Sequence, residues 1–188
     1  MSVNDVLLAA VAGGLRHWLG THGAPPRDVR VMVPVDLRRG RPVSGRLGNR
    51  FGIVFVRLPV TVATPAARAA AVHVATSAAK RSAVAPASYA LLSLVGVLPG
   101  WAQGLAARLL GRVATVIVTN VPGPRRSLSL GGVRLDSVVF WVPHIGRIGI
   151  GVSIFSYDGT VTLGVATNSS LPIEPVDLVA AITAELAG

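Results

Sequence analysis

Four histidines, His17, His22, His73 and His144, are the side chains best suited to move a proton near neutral pH. A histidine becomes an effective general base or metal ligand when a carboxylate or a second imidazole orients it. None of the four lies beside another His or within four residues of an Asp or Glu, so helical spacing pairs none of them. There is no cysteine, which removes disulfides, thiolate metal sites and cysteine nucleophiles. Neither a G-x-S-x-G elbow nor a P-loop occurs. A surface or packing role is expected for each histidine, with a lone general base as the alternative. From its own residues the chain offers no convincing active site, and no catalytic residue or metal site is expected in it.

Three other segments have the chemistry of a site rim. Thr119-Asn120-Val121-Pro122-Gly123-Pro124 is the most distinctive. Pro-Gly suits a type II turn, in which Pro fixes φ and Gly accepts the positive φ that follows. Asn120 would then leave a buried strand on a stiff loop; a plain strand-ending turn is the bland alternative. Asn4-Asp5 falls in the first turn of a helix, where it could bind a ligand or simply cap. Gly48-Asn49-Arg50 closes an arginine-rich stretch, where glycine permits close approach and arginine holds phosphate. An ordinary solvated loop is the alternative there.

The elements that must position these residues follow from periodicity. Ser2 and Asp5 open a helix, Leu7, Ala10, Gly14 and Leu15 continue it, and Gly20 stops it. Val29, Val31, Val33 and Val35 alternate as a strand, which Pro34 pushes toward an edge or an end. A second strand is expected from about Phe51 to Val60. Thr64-Pro65 starts a helix running to about Val84, with Thr64 as cap. Two short helices are expected near Ala87 to Val97 and Gly100 to Leu110. Val113 to Val118 reads as a buried strand. Hairpins are expected over Leu128 to Trp141, turning at Gly131-Gly132, and from Ile148 to Ala166, turning at Asp158-Gly159. Pro175 opens a closing helix. Mixed strands and helices without strict alternation give an α+β class, a mixed-sheet α/β sandwich, in one domain over 1–188.

The bulk numbers narrow the partners. The chain is 51% hydrophobic and only 14% charged, with a formal net charge of +10. That excludes disorder and leaves apolar surface to offer a partner lobe or a lipid. Aromatics are 5% and the arginines are dispersed, so no stacking platform for nucleic acid exists and none is expected to bind. From Arg81 to Arg108 the chain carries no intervening charge, but Pro86, Gly96, Pro99 and Gly100 interrupt it. Two short buried or interfacial helices are expected there rather than a membrane span. The N-terminus has no basic stretch ahead of an apolar run, so it does not read as a signal peptide.

Taken together, "VNDVLLAAVAGGLRHWL", "VRVMVPVDLR", "GNRFG…VRLPV", "VIVTNVPGP", "SYDGTVTLG" and "LVAAITAEL" resemble, in order, the C-terminal domain of bacterial wax ester synthase/diacylglycerol O-acyltransferases. The resemblance runs from Ser2 to Leu186. It implies one lobe of a two-lobed fold like chloramphenicol acetyltransferase and condensation domains, with a tunnel between the lobes. It implies transfer of a long-chain acyl group from acyl-CoA to diacylglycerol or a long-chain alcohol, with acyl-CoA as co-substrate and no bound cofactor. The family's HHxxxDG base belongs to the N-terminal catalytic lobe, absent here, so the chain alone is expected to be inactive. Residue by residue, Asn4, Asp5, Gly48, Asn49, Thr119, Asn120, Pro122, Gly123 and Pro124 match the family's motifs as tunnel-lining or lobe-positioning residues. Asn168 departs from an Asp that the resemblance leads one to expect. Expected partners are the N-terminal lobe, acyl-CoA, the acceptor lipid and a peripheral membrane or lipid-droplet surface in the cytoplasm. The alternative is a non-catalytic remnant that binds a partner lobe or a lipid surface.

Overall fold

The computed structural model describes residues 1–38, 50–143 and 148–187. In chain order the elements are α1 (Val3–Thr21), β1 (Val29–Asp36), β2 (Phe51–Leu58), α2 (Pro65–Arg81), α3 (Val84–Gly96), α4 (Gly100–Leu110), β3 (Val116–Pro122), β4 (Ser129–Leu130), β5 (Val133–Arg134), β6 (Ile150–Tyr157), β7 (Thr160–Thr167) and α5 (Pro175–Ala187). Five strands form one mixed sheet in the order β2-β1-β3-β6-β7. Its centre, β1-β3-β6, is parallel, and each side is finished by an antiparallel hairpin partner.

Strand alternation sorts the side chains into two layers. Val31, Val33, Val54, Val56, Val116, Val118, Val152 and Ile154 face α1, α2 and α5 in the main core. Met32, Ile53 and Ile117 face the other way, against Val142, Ile148, Leu92, Leu110 and Phe140. The central strands are therefore apolar on both sides, as parallel strands covered on both faces must be. Gly13 and Gly14 bring α1 against α5, since a Cβ on Gly14 would strike Ile182. The buried Arg68 of α2 reaches Ala9 O of α1 at 3.2 Å, Val62 O and Ala63 O at 3.1 Å, and Glu185 of α5. A cation placed so deep is tolerable because every donor group has an oxygen.

Three expectations need correction. β1 is an interior strand rather than an edge, and Pro34 satisfies the other half of the expectation by lying near its end, past the last rung to β3. The Leu37 N–H to Arg50 O bond, 3.0 Å, fixes the alternation so that even-numbered N–H groups of β1 point to β3. β1 and β3 are in register only at Val31–Val116 and Met32–Ile117, and the next rung would need the N–H that Pro34 lacks. Thr64 occupies the N-cap of α2 but makes no side-chain cap bond; Pro65 alone starts that helix. The hairpin expected over Leu128 to Trp141 shrinks to β4 and β5, two residues each, about Gly131 and Gly132 at φ 58 and 83. The second hairpin stands, turning at Asp158 (φ 46) and Gly159 (φ 79).

Candidate functional site

The first turn of α1 is built by its own side chains. The Ser2 N–H donates to Asp5 Oδ2 at 2.7 Å, and the Asp5 N–H donates to Ser2 Oγ at 3.4 Å, a capping box with Asp in the usual Glu position. Asp5 is buried, and α2 supplies its remaining partners. Thr76 Oγ1 donates to Oδ1 at 2.6 Å, and His73 Nδ1 lies 2.8 Å from Oδ2. His73 and Thr76 are three apart, so one face of α2 presents both. Burial on its own raises the Asp5 pKa. The bonds from the Ser2 N–H, Thr76, His73 and the Ser2 hydroxyl outweigh it and hold the carboxyl well below the usual carboxylate range.

Asn4, one residue earlier, points instead to the sheet. Its Oδ1 accepts from Asn120 Nδ2 at 3.3 Å, joining the start of α1 to β3 beyond the last β1–β3 rung. Both asparagines are half-buried. Asn120 shares the parity of Val116 and Val118, so it faces the helices, while Thr119 faces the opposite layer beside Ser153 in register. Asn4 and Asn120 thus meet side chain to side chain, Asp5 turns to α2, and Thr119 faces the opposite layer.

The segment after Asn120 is not a type II turn. β3 continues through Pro122, in parallel register with Ser156, and Gly123 extends the ladder by donating its N–H to Ser156 O at 2.8 Å. Gly123 is not among the glycines with positive φ. It is needed because a Cβ there would overlap Ser156 O and the Phe155 ring. Pro124 then ends the strand, its carbonyl accepting from the Asp158 N–H at 3.0 Å. Gly48 and Asn49 lie outside the described residues; Leu37 and Arg50, which flank that stretch, pair at the carboxyl end of β1. Asn168 closes the turn after β7 by accepting from the Ser170 N–H at 2.9 Å, a bond an Asp would make equally well.

Sequence spacing missed His73. It is 68 positions from Asp5, and only the packing of α2 on α1 brings them together. With the carboxylate accepting, Nδ1 donates, and Nε2 points away from Asp5. Nε2 has no partner among the described residues, and 47% of the side chain is exposed. The pair is therefore an oriented imidazole, and it also anchors the helix that carries Asn4. The other described histidines lack such orientation: His22 stacks on Trp18 and bonds its carbonyl, and His17 is exposed. His144 lies outside the described residues. A depression of about 380 Å³ lined by Arg16, His17 and Glu185 lies along α1 well away from Asn4, and Arg16 already bonds the carbonyls of Val60 and Thr61. Among the described residues no group of His, Asp or Glu could hold a metal.

The WS/DGAT C-terminal domain family model matches residues 47–188. "Probable diacyglycerol O-acyltransferase tgs1" of Mycobacterium tuberculosis is 32% identical over 171 residues, covering 88% of this chain and 37% of its own length. The chain thus spans a little over a third of that curated relative. Among solved structures, the wax ester synthase/diacylglycerol acyltransferase of Marinobacter aquaeolei VT8 superposes with a TM-score of 0.69 at 22% identity, over 99% of this chain and 42% of that one. The condensation domain of the enacyloxin polyketide synthase gives 0.56 at 15% identity, over 99% and 35%. At these identities the likeness shows the fold, that of the chloramphenicol-acetyltransferase-like lobes.

Proposed function

Because the chain belongs to the WS/DGAT C-terminal domain family, we propose that it is the C-terminal half of an O-acyltransferase that moves a long-chain acyl group from acyl-CoA to diacylglycerol or a long-chain alcohol, at a peripheral membrane or lipid-droplet surface. The observation that carries the reading is the Asn4–Asn120 bond, 3.3 Å long, at the end of β3. Two polar amides are held half-buried beside a run of apolar strand, where a wall of an acyl tunnel needs a few fixed polar groups in an apolar lining.

In this reading the acceptor hydroxyl attacks the thioester carbonyl, its proton goes to the histidine base of the N-terminal lobe, and the CoA thiolate leaves and is protonated. No covalent enzyme intermediate is required. This chain positions. Asp5, anionic throughout the neutral range, locks the start of α1 to α2 through Thr76 and His73, and α1 in turn aims Asn4 at Asn120. Neither asparagine titrates, so both orient and hydrogen-bond without exchanging protons.

The test is reconstitution with an N-terminal lobe bearing HHxxxDG, read by transfer of labelled acyl-CoA to diacylglycerol or hexadecanol. Transfer is expected with both lobes present. Asn120→Ala is expected to lower it about tenfold or more through misplacement at the wall, with little change in melting temperature. No transfer with any family N-terminal lobe would leave the non-catalytic remnant as the surviving reading.

A further inference from the structure

We infer that the hairpin of α3 and α4 is a docking element that seats on an anionic phospholipid surface. α3 spends one side on the fold: Ala85 is buried, the Ile53 N–H of the edge strand β2 donates to Ser88 Oγ at 2.7 Å, and Leu92 packs on the second core layer. The rest is bare. Leu91 and Leu94 on α3, Val97 and Leu98 in the connection, and Trp101, Leu105 and Leu109 on α4 are all exposed, Val97 to 79% and Trp101 to 76%. Trp101, Leu105 and Leu109 recur every four residues and so form one stripe along α4.

Charge names the occupant. No charged residue occurs between Arg81 and Arg108, and those that border the hairpin, Lys80, Arg81, Arg108 and Arg112, are all cationic and exposed. From Leu37 to Leu135 the chain contains no acidic residue at all. A protein partner would accept the apolar stripe but has no need of cations alone around it. An anionic leaflet needs both: apolar side chains to enter the acyl boundary, and cations at headgroup level with an aromatic ring at the interface. Among the described residues no helix is long and apolar enough to cross a membrane, and helices of 13 and 11 residues suit a shallow seat in the interface. The inference stands on exposure and charge; it rests on the proposed reading only for the surface association, for which it names the element, and it can fail while acyl transfer stands.

The experiment is flotation of the 188-residue chain with vesicles of phosphatidylcholine and phosphatidylglycerol, against phosphatidylcholine alone. Binding is expected to the anionic vesicles, falling about tenfold in neutral vesicles or in high salt. In a Trp141→Phe chain, where Trp18 is buried, the Trp101 emission is expected to shift blue and to be quenched by brominated lipid. Leu94→Glu with Leu105→Glu should lower partitioning about tenfold or more at unchanged thermal melting, because both side chains are exposed. Flotation of that variant like the parent, or binding without quenching of Trp101, overturns the inference. So does absence of flotation, whether or not the same variant dissolves a dimer or blocks an added N-terminal lobe, since the face would then belong to protein.

Discussion

At the scale of single residues, Asp5 is the group with most at stake. It is a buried carboxylate whose partners are neutral donors and one imidazole, so its charge is stabilised by hydrogen bonds and by the positive end of α1. Its folded pKa is depressed, so the stability it contributes is complete above its ordinary value, ~3.9, and drains away as pH falls below that toward the folded value. Asp5→Ala is expected to cost about 3 kcal/mol at pH 7, as the loss of a hydrogen-bonded buried charge does. The difference between parent and variant should shrink in urea melts run at pH 3 compared with pH 7. A constant difference across that range would remove Asp5 as the source of the acid sensitivity. His73→Ala should cost about 1 kcal/mol or less, because the imidazole is half in solvent.

Elements show where sequence reading succeeds and where it stops. The capping box at Ser2, the Asp158-Gly159 hairpin and the short helix α4 were legible because each is fixed by residues within a few positions of one another. The exit of β3 was misread because Pro-Gly is ambiguous locally. Only the neighbouring strand β6, more than thirty positions away, decides that Gly123 stays extended. The consequence is testable. Gly123→Val is expected to destabilise by about 1–3 kcal/mol by forcing Ser156 O and Phe155 aside. Gly123→Ala should be nearly as harmful, whereas at a positive-φ turn position the cost would arise from backbone strain instead. Equal melting of parent, Ala and Val chains would discard the close-approach account. The hairpin expected over Leu128 to Trp141 is shorter than its pattern promises for a related reason. Alternating apolar residues promise a strand, but here Tyr157 holds the excursion through Leu128 N–H and Leu135 O at 2.7 and 2.8 Å, and only four residues pair as strand.

For the whole molecule, the apolar pattern and the order of motifs fixed the fold class and the family, while the Asp5–His73 pair stayed invisible because nothing local couples two helices. The isolated chain is expected to show no acyl-CoA:alcohol transfer above a heat-killed control, since the oriented imidazole faces solvent and the chain spans a little over a third of its curated relative. Turnover that disappears in His73→Ala would move the chemistry to that pair.

The short register between β1 and β3 gives the sheet an unusual distribution of load. A force drawing β2 away from β7 would meet at the centre two rungs and the Thr115 N–H to Arg30 O bond and, among the described residues beyond Met32 and Ile117, no further β1–β3 rung. The splice across that line is the helical layer, in which α2 rides on β2, α5 on β7 and α1 between them. Arg68 is its bolt, fastening α1, α2 and α5 at one buried point. Asn4 and Asn120 straddle the same line near its open end, so any flexing of the sheet there is felt first as a change in the distance between two amides.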